Sequence, residues 1–172
     1  MGRTEEKRSS LIQKTNKIAS IDAEGREGLK KKLTNMENIT IKTSINAPIE
    51  KVWKYFTEPE FIKQWNNASP DWHTPAASND LTVGGKFSYT MAAKDGSFSF
   101  DFEGTYNDIQ ENKLISYTIA DGRKVEVVFE VDGENVEVTE TFEAESQNPI
   151  EMQRGGWQAI LDNFKKLVES GN

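Results

Sequence analysis

Between Lys86 and Glu143 the chain repeatedly alternates apolar with polar residues, and glycine-containing turns cut the alternation into short runs. Phe87, Tyr89 and Met91 share one parity, and so do Phe98, Phe100 and Phe102. Successive side chains of an extended strand point to opposite faces, so each run has one apolar face and one polar face. A helix does not present a period of two as a face. The runs break at Asp95-Gly96, Asp121-Gly122 and Asp132-Gly133, the dipeptides that most strongly signal a hairpin. This stretch is therefore an antiparallel meander with one face to bury.

Outside the meander the period changes. Trp157, Ile160, Leu161, Phe164, Leu167 and Val168 form an i, i+3, i+4 stripe within a helix opened by Asn148-Pro149 and running to Ser170. Gly155-Gly156, just before the stripe, either admits a close neighbour or weakens the helix. Ahead of the meander, Ile39–Ile45 alternates as a half-buried strand. Pro48 then opens a short helix with Val52, Trp53 and Phe56 on one face. Thr57-Glu58-Pro59-Glu60 opens a second, carrying Phe61, Ile62 and Trp65. Asn66–Asp80, with Pro70, Pro75 and small residues, is expected to be a long loop bearing Trp72 and His73. The order is β–α–α–β–β–β–β–β–α, with room for one strand more. The expected class is α+β: a curved antiparallel sheet packed on a long C-terminal helix, with two short helices after the first strand.

Composition limits the chemistry. The 172 residues carry a net charge of -7, but the charge is unevenly spread. Residues 1–35 hold nine basic and five acidic side chains, a net +4, and no aromatic residue. The remainder holds 12 basic and 23 acidic side chains, a net -11, with all 17 aromatics. Residues 1–35 are thus expected to be a marginally helical or disordered basic extension, and residues 36–172 the folded domain. The acidic domain disfavours nucleic acid. Absence of cysteine excludes disulfides, thiol nucleophiles and thiolate metal sites, and a single histidine excludes multi-histidine sites. No metal and no cofactor are expected. No apolar run reaches the roughly 20 residues of a membrane span, and no signal-peptide core follows the polar start, so the expected location is cytoplasmic.

Five spaced segments resemble one family. They are Ala47-Pro48-Ile49-Glu50-Lys51-Val52-Trp53, Pro59-Glu60-Phe61-Ile62-Lys63-Gln64-Trp65, and Asp80-Leu81-Thr82-Val83-Gly84-Gly85-Lys86-Phe87. Asp121-Gly122-Arg123 follows, then Gly156-Trp157 with Leu161-Asp162-Asn163-Phe164. From about Ile39 to Glu169 the chain resembles the START-like (SRPBCC) superfamily, and within it the activators of heat-shock protein 90 ATPase homologue group. The resemblance implies a helix-grip fold with a cavity between the sheet and the last helix. Members of the superfamily carry lipids, bind hydrophobic molecules, cyclise polyketides or act as co-chaperones. The partner-binding N-terminal domain of true co-chaperones has no counterpart in this sequence.

The expected ligand is a hydrophobic or amphipathic small molecule in that cavity. Its expected lining is Phe87, Tyr89, Met91, Phe98, Phe100 and Phe102 from the first hairpin, with Tyr117, Arg123, Phe129 and Glu140 from later strands. Trp157, Ile160 and Phe164 join them from the helix, and Trp65 and Trp72 stand at the mouth. A two-residue turn at Asp132-Gly133 pairs Val131 with Glu134, which sets Val127 opposite Val138 and Val125 opposite Glu140. Glu140 then lies on the inward face, diagonal to Arg123. It is expected either to pair with Arg123 at a wet sheet edge or to stand as a polar anchor in an apolar pocket. His73 is expected to be a loop histidine with a structural hydrogen bond or an acid/base at the cavity mouth. The alternative functions are a protein-interaction module using the outer acidic residues Glu126, Glu130, Glu137 and Glu143, and a cyclase- or hydrolase-type enzyme using the same cavity. No catalytic residue is assigned. The chain is expected to be a monomer or a homodimer.

Overall fold

Alternation becomes seven strands and period 3.6 becomes three helices in the computed structural model, which describes residues 37–170. The basic arm expected at 1–35 lies outside the described residues. The elements are β1 (Asn38–Ile45), α1 (Ile49–Thr57), α2 (Pro59–Trp65), β2 (Trp72–Asn79), β3 (Lys86–Ala93) and β4 (Ser99–Gln110). They continue as β5 (Leu114–Ile119), β6 (Lys124–Asp132), β7 (Asn135–Glu143) and α3 (Ile150–Ser170). One antiparallel sheet runs in the order β1-β7-β6-β5-β4-β3-β2. This is a helix-grip fold, with α3 packed on the sheet and running along β1. Ile39, Ile45, Val127, Val136, Val138 and Phe142 from the strands are fully buried. Leu161, Phe164 and Val168 of α3 and Val52 and Ile62 of the short helices close over them.

The segment expected to be a long loop contains a strand. Residues 72–79 form edge strand β2, paired with β3 and interrupted by an irregularity between His73 and Ala76. Pro75 falls at that irregularity, on an edge, where a missing N–H breaks no ladder bond. Side-chain bonds hold the strand to its surroundings. Thr74 Oγ1 donates to Asn66 O at 2.6 Å, and Asn79 Nδ2 donates to Thr57 O at 2.6 Å.

The β6–β7 register also differs from the expected one. Val131 lies opposite Val136, Val127 opposite Glu140 and Val125 opposite Phe142. Gly133 and Glu134, not Asp132 and Gly133, are the two loop residues. Gly133 has φ +61° and Glu134 is not in the left-handed region, the signature of a type II′ turn with glycine first. The shift is two residues, so every inward side chain stays inward. It moves Glu140 one pair further from Arg123, and the expected ion pair does not form.

Glycines at two places behave in opposite ways. Gly104 lies directly opposite Phe87, whose ring covers it; a Cβ there would stand 2.5 Å from the ring and 2.9 Å from Thr118 O. Gly155 and Gly156 lie inside α3 with open space where a side chain would go. Nothing approaches them closely, so at these positions they only weaken the helix. Gly104→Ala should therefore cost about 1–3 kcal/mol through forced displacement of Phe87. Gly155→Ala should stabilise the fold by about 0.5–1 kcal/mol. Urea unfolding of the two variants checks both signs; a neutral Gly104→Ala would mean that Phe87 yields freely.

Candidate functional site

The inward parity of β3, β4 and β5 puts aromatic rings side by side beneath the first half of α3. Phe87 packs against Tyr89 at 5.0 Å, against Tyr106 at 5.3 Å and edge-on against Tyr117 at 4.9 Å. Trp157 of α3 stacks on Phe142 at 3.9 Å and meets Phe102 edge-on at 6.1 Å. These rings do not fill the space between them. A cavity of about 280 Å³ remains, lined by Phe87, Tyr89, Met91, Phe100, Phe102, Tyr117, Trp157 and Ile160, with Trp65, Arg123 and Glu140. Phe100, 42% exposed, marks its open side.

Five further lining residues are Phe56, Thr57, Asn66, Tyr106 and Ile115. Tyr106 continues the inward parity of β4, so a longer strand assignment would have found it; the sequence itself places a strand at Leu114–Ala120, where Ile115 shares the parity of Tyr117. Phe56 needed the placement of α1, which alternation does not contain. Four expected lining residues lie elsewhere. Phe129 and Phe164 are sealed beneath Phe56, which meets them edge-on at 5.3 Å and 5.2 Å. Phe98 sits at the tip of the β3–β4 hairpin, 55% exposed, and Trp72 packs against Phe98 and Phe100 at 6.2 Å each. His73 does not line the cavity either; its Nδ1 lies 3.1 Å from Ala92 O.

Most polar groups of the lining are already engaged. The Tyr106 hydroxyl donates to Asn79 Oδ1 at 2.6 Å, and the Tyr89 hydroxyl bonds to Tyr106. Arg123 Nε donates to Asp121 Oδ2 at 2.8 Å and its Nη1 to Glu143 O at 3.2 Å. Trp65 is buried rather than half-wet, and its indole N–H donates to Tyr55 O at 2.8 Å. Thr57 Oγ1 donates to Trp53 O at 2.8 Å.

The Tyr117 hydroxyl and the Glu140 carboxyl are not so engaged, and Glu140 is the more deeply buried. It is 9% exposed, and its carboxyl makes no hydrogen bond or ion pair with any described residue. Neither oxygen is sealed off without a partner, so both open onto the cavity. Burial alone pushes its pKa up to about 8, because nothing compensates the charged form. Burial likewise pushes Tyr89 and Tyr117 well above the usual tyrosine range and Tyr106 up to about 12, so these phenols stay protonated. Among the described residues no three side chains cluster as a metal site, and no helix is long and apolar enough to cross a membrane.

The folded state holds the Glu140 proton more tightly than the unfolded chain does. Its contribution to stability is therefore complete below about pH 4.5 and is lost as pH rises through about 8. Glu140→Gln should gain on the wild type by a few kcal/mol, on the order of the linkage for such a group, between about pH 5 and pH 9. Urea midpoints across that range test this; a constant difference between the two proteins would place the carboxyl in water.

Residues 46–169 match the family model described as Activator of Hsp90 ATPase homolog 1-like protein. No curated protein matches the chain. An AHSA1-like protein from Aeromonas hydrophila is similar to it at 45% identity and a TM-score of 0.74, over 78% of this chain and 93% of the other. A protein from Cytophaga hutchinsonii is 54% identical with a TM-score of 0.69, over 77% and 92%. The Aha1 dimer from Colwellia psychrerythraea shares the fold at 19% identity and a TM-score of 0.63, over 80% and 99%.

Proposed function

The chain belongs to the activator of Hsp90 ATPase homolog 1-like family, and from that footing we propose that it binds a hydrophobic or amphipathic small molecule between the sheet and α3. The observation that carries this reading is the cavity of about 280 Å³, aromatic on most sides and open past Phe100. A packed core has few voids larger than a water molecule. Its size is close to the lower end of the roughly 300–1,000 Å³ of small-molecule sites, and its mix of rings with a few polar groups is theirs too.

A second reading, a protein-interaction module of the kind the family description names, uses the opposite face of the sheet. Glu130 stands directly across from Glu137 there, with Glu126 exposed on the same strand as Glu130. Like charges directly opposed destabilise a sheet, and a basic partner would relieve them. No observation favours the cyclase- or hydrolase-type reading, since Glu140 has no second reacting group within hydrogen-bond distance.

The cavity reading is tested with naphthalene as an apolar probe. A probe that binds the folded state alone, at about 100 times its Kd, adds about 2.7 kcal/mol, which for a domain of this size raises Tm by on the order of 5–10 °C. Proton NMR should show the shifted resonances on Phe87, Tyr89 and Trp157. Saturating naphthalene with no change in Tm and no shifted resonance overturns the reading.

A further inference from the structure

Two polar groups of the lining, on strands flanking β6, have no hydrogen-bond partner among the described residues. One is the Glu140 carboxyl on β7. The other is the Tyr117 hydroxyl on β5, close enough for the charge on Glu140 to be felt there. The groups around them are accounted for. From β1 and β6 the nearest cross-strand neighbours of Glu140 are the apolar Ile41 and Val127. From β3 and β4 come the Tyr89 and Tyr106 hydroxyls, bonded to each other and on to Asn79. Arg123 is engaged by Asp121 and Glu143. A buried carboxyl left in this state lacks a donor, and the described residues supply none.

We propose that the ligand of this cavity is a lipophilic amine, its ammonium group bonded to the Glu140 carboxylate and the Tyr117 oxygen and its apolar body filling the aromatic remainder. This rests on the cavity-binding reading above and names the class of molecule. A primary ammonium offers three donors and no acceptor, the complement of a carboxylate and a phenol oxygen. Charge-assisted bonds of this kind are about twice as strong as neutral ones. The faces of Tyr89, Phe102, Tyr117 and Trp157 add the attraction of aromatic rings for a cation. An anionic ligand would find Arg123 already bonded to Asp121 and Glu143. The volume matches a small body: a cavity of about 150 Å³ holds benzene, so about 280 Å³ takes roughly a fused pair of rings.

Proton balance gives the inference its sign. Burial keeps Glu140 protonated at neutral pH when the cavity is empty. An ammonium pairs only with the carboxylate, so its entry releases the Glu140 proton to solvent. Tyr89, Tyr106 and Tyr117 keep their protons throughout. Amine affinity should therefore rise with pH up to about 8, whereas a neutral ligand should show no such rise.

Calorimetric titration of the full chain with three probes of one shape decides the matter: naphthylmethylamine, naphthylmethanol and ethylnaphthalene, on the wild type and on Glu140→Gln. The expected result at about pH 8 is an amine bound at least about tenfold tighter than ethylnaphthalene, falling more than about tenfold by pH 6, with both effects lost in Glu140→Gln. Ethylnaphthalene binding as tightly as the amine at pH 8 overturns the amine assignment and leaves the cavity reading standing. Failure of all three to bind overturns both. If Glu140→Gln does not fold, the wild-type pH series decides alone, and an amine affinity flat from pH 6 to 8 overturns the assignment.

Discussion

One helix has to cover a sheet that is too wide for it, and the rest of the structure follows from that shortfall. The 21 residues of α3 span about 31 Å in length but only about 10 Å in width. Seven strands about 4.8 Å apart extend roughly 29 Å across. Leu161, Phe164 and Val168 bury the face of α3 that runs along β1 and meets the short helices. There Phe56, Trp65, Phe129 and Phe164 meet ring against ring, and the interior is closed. Over β3, β4 and β5 the cover runs out before the sheet does. Large aromatic rings narrow the gap, and a space remains.

That space gives Glu140 its meaning. An inward carboxyl on β7 in a filled core would face the cost of an unpaired buried charge, and selection for stability alone would favour an aliphatic residue. Facing a void, it is nearly dry but still reachable. The same burial that raises its pKa removes every competitor for its oxygens. Tyr117 shares the setting, while Arg123, Tyr89 and Tyr106 have been drawn into bonds of their own. The lining is thus apolar in bulk and polar at one place, which is how a small site orients what it holds.

Much of this was legible because a period of two is a local property. The inward parity of Phe87, Phe102, Tyr117 and Glu140 could be read without knowing where any strand paired. Register could not, because it depended on which residue of Asp132-Gly133-Glu134 entered the turn first. The Arg123–Glu140 pair was lost with it. Strand β2 was hidden because Pro75 and its small neighbours have no strand propensity; β3, Asn66 and Thr57 hold it extended. The division between core and cavity wall was also out of reach. Phe129 and Phe164 carry the same pattern as true lining residues, and only the seat of α1, which lays Phe56 over them, separates the two groups.

The contact between Phe87 and Gly104 reaches further than its own stability. Phe87 is part of the cavity wall, and it can lie flat there because position 104 carries no side chain. A methyl group at 104 lifts the ring into the void. The depth of the cavity is thus set by a residue that no ligand touches. A smaller residue at 87 would free the ring side of position 104 but leave the Thr118 carbonyl in place, so 87 and 104 are coupled without being interchangeable.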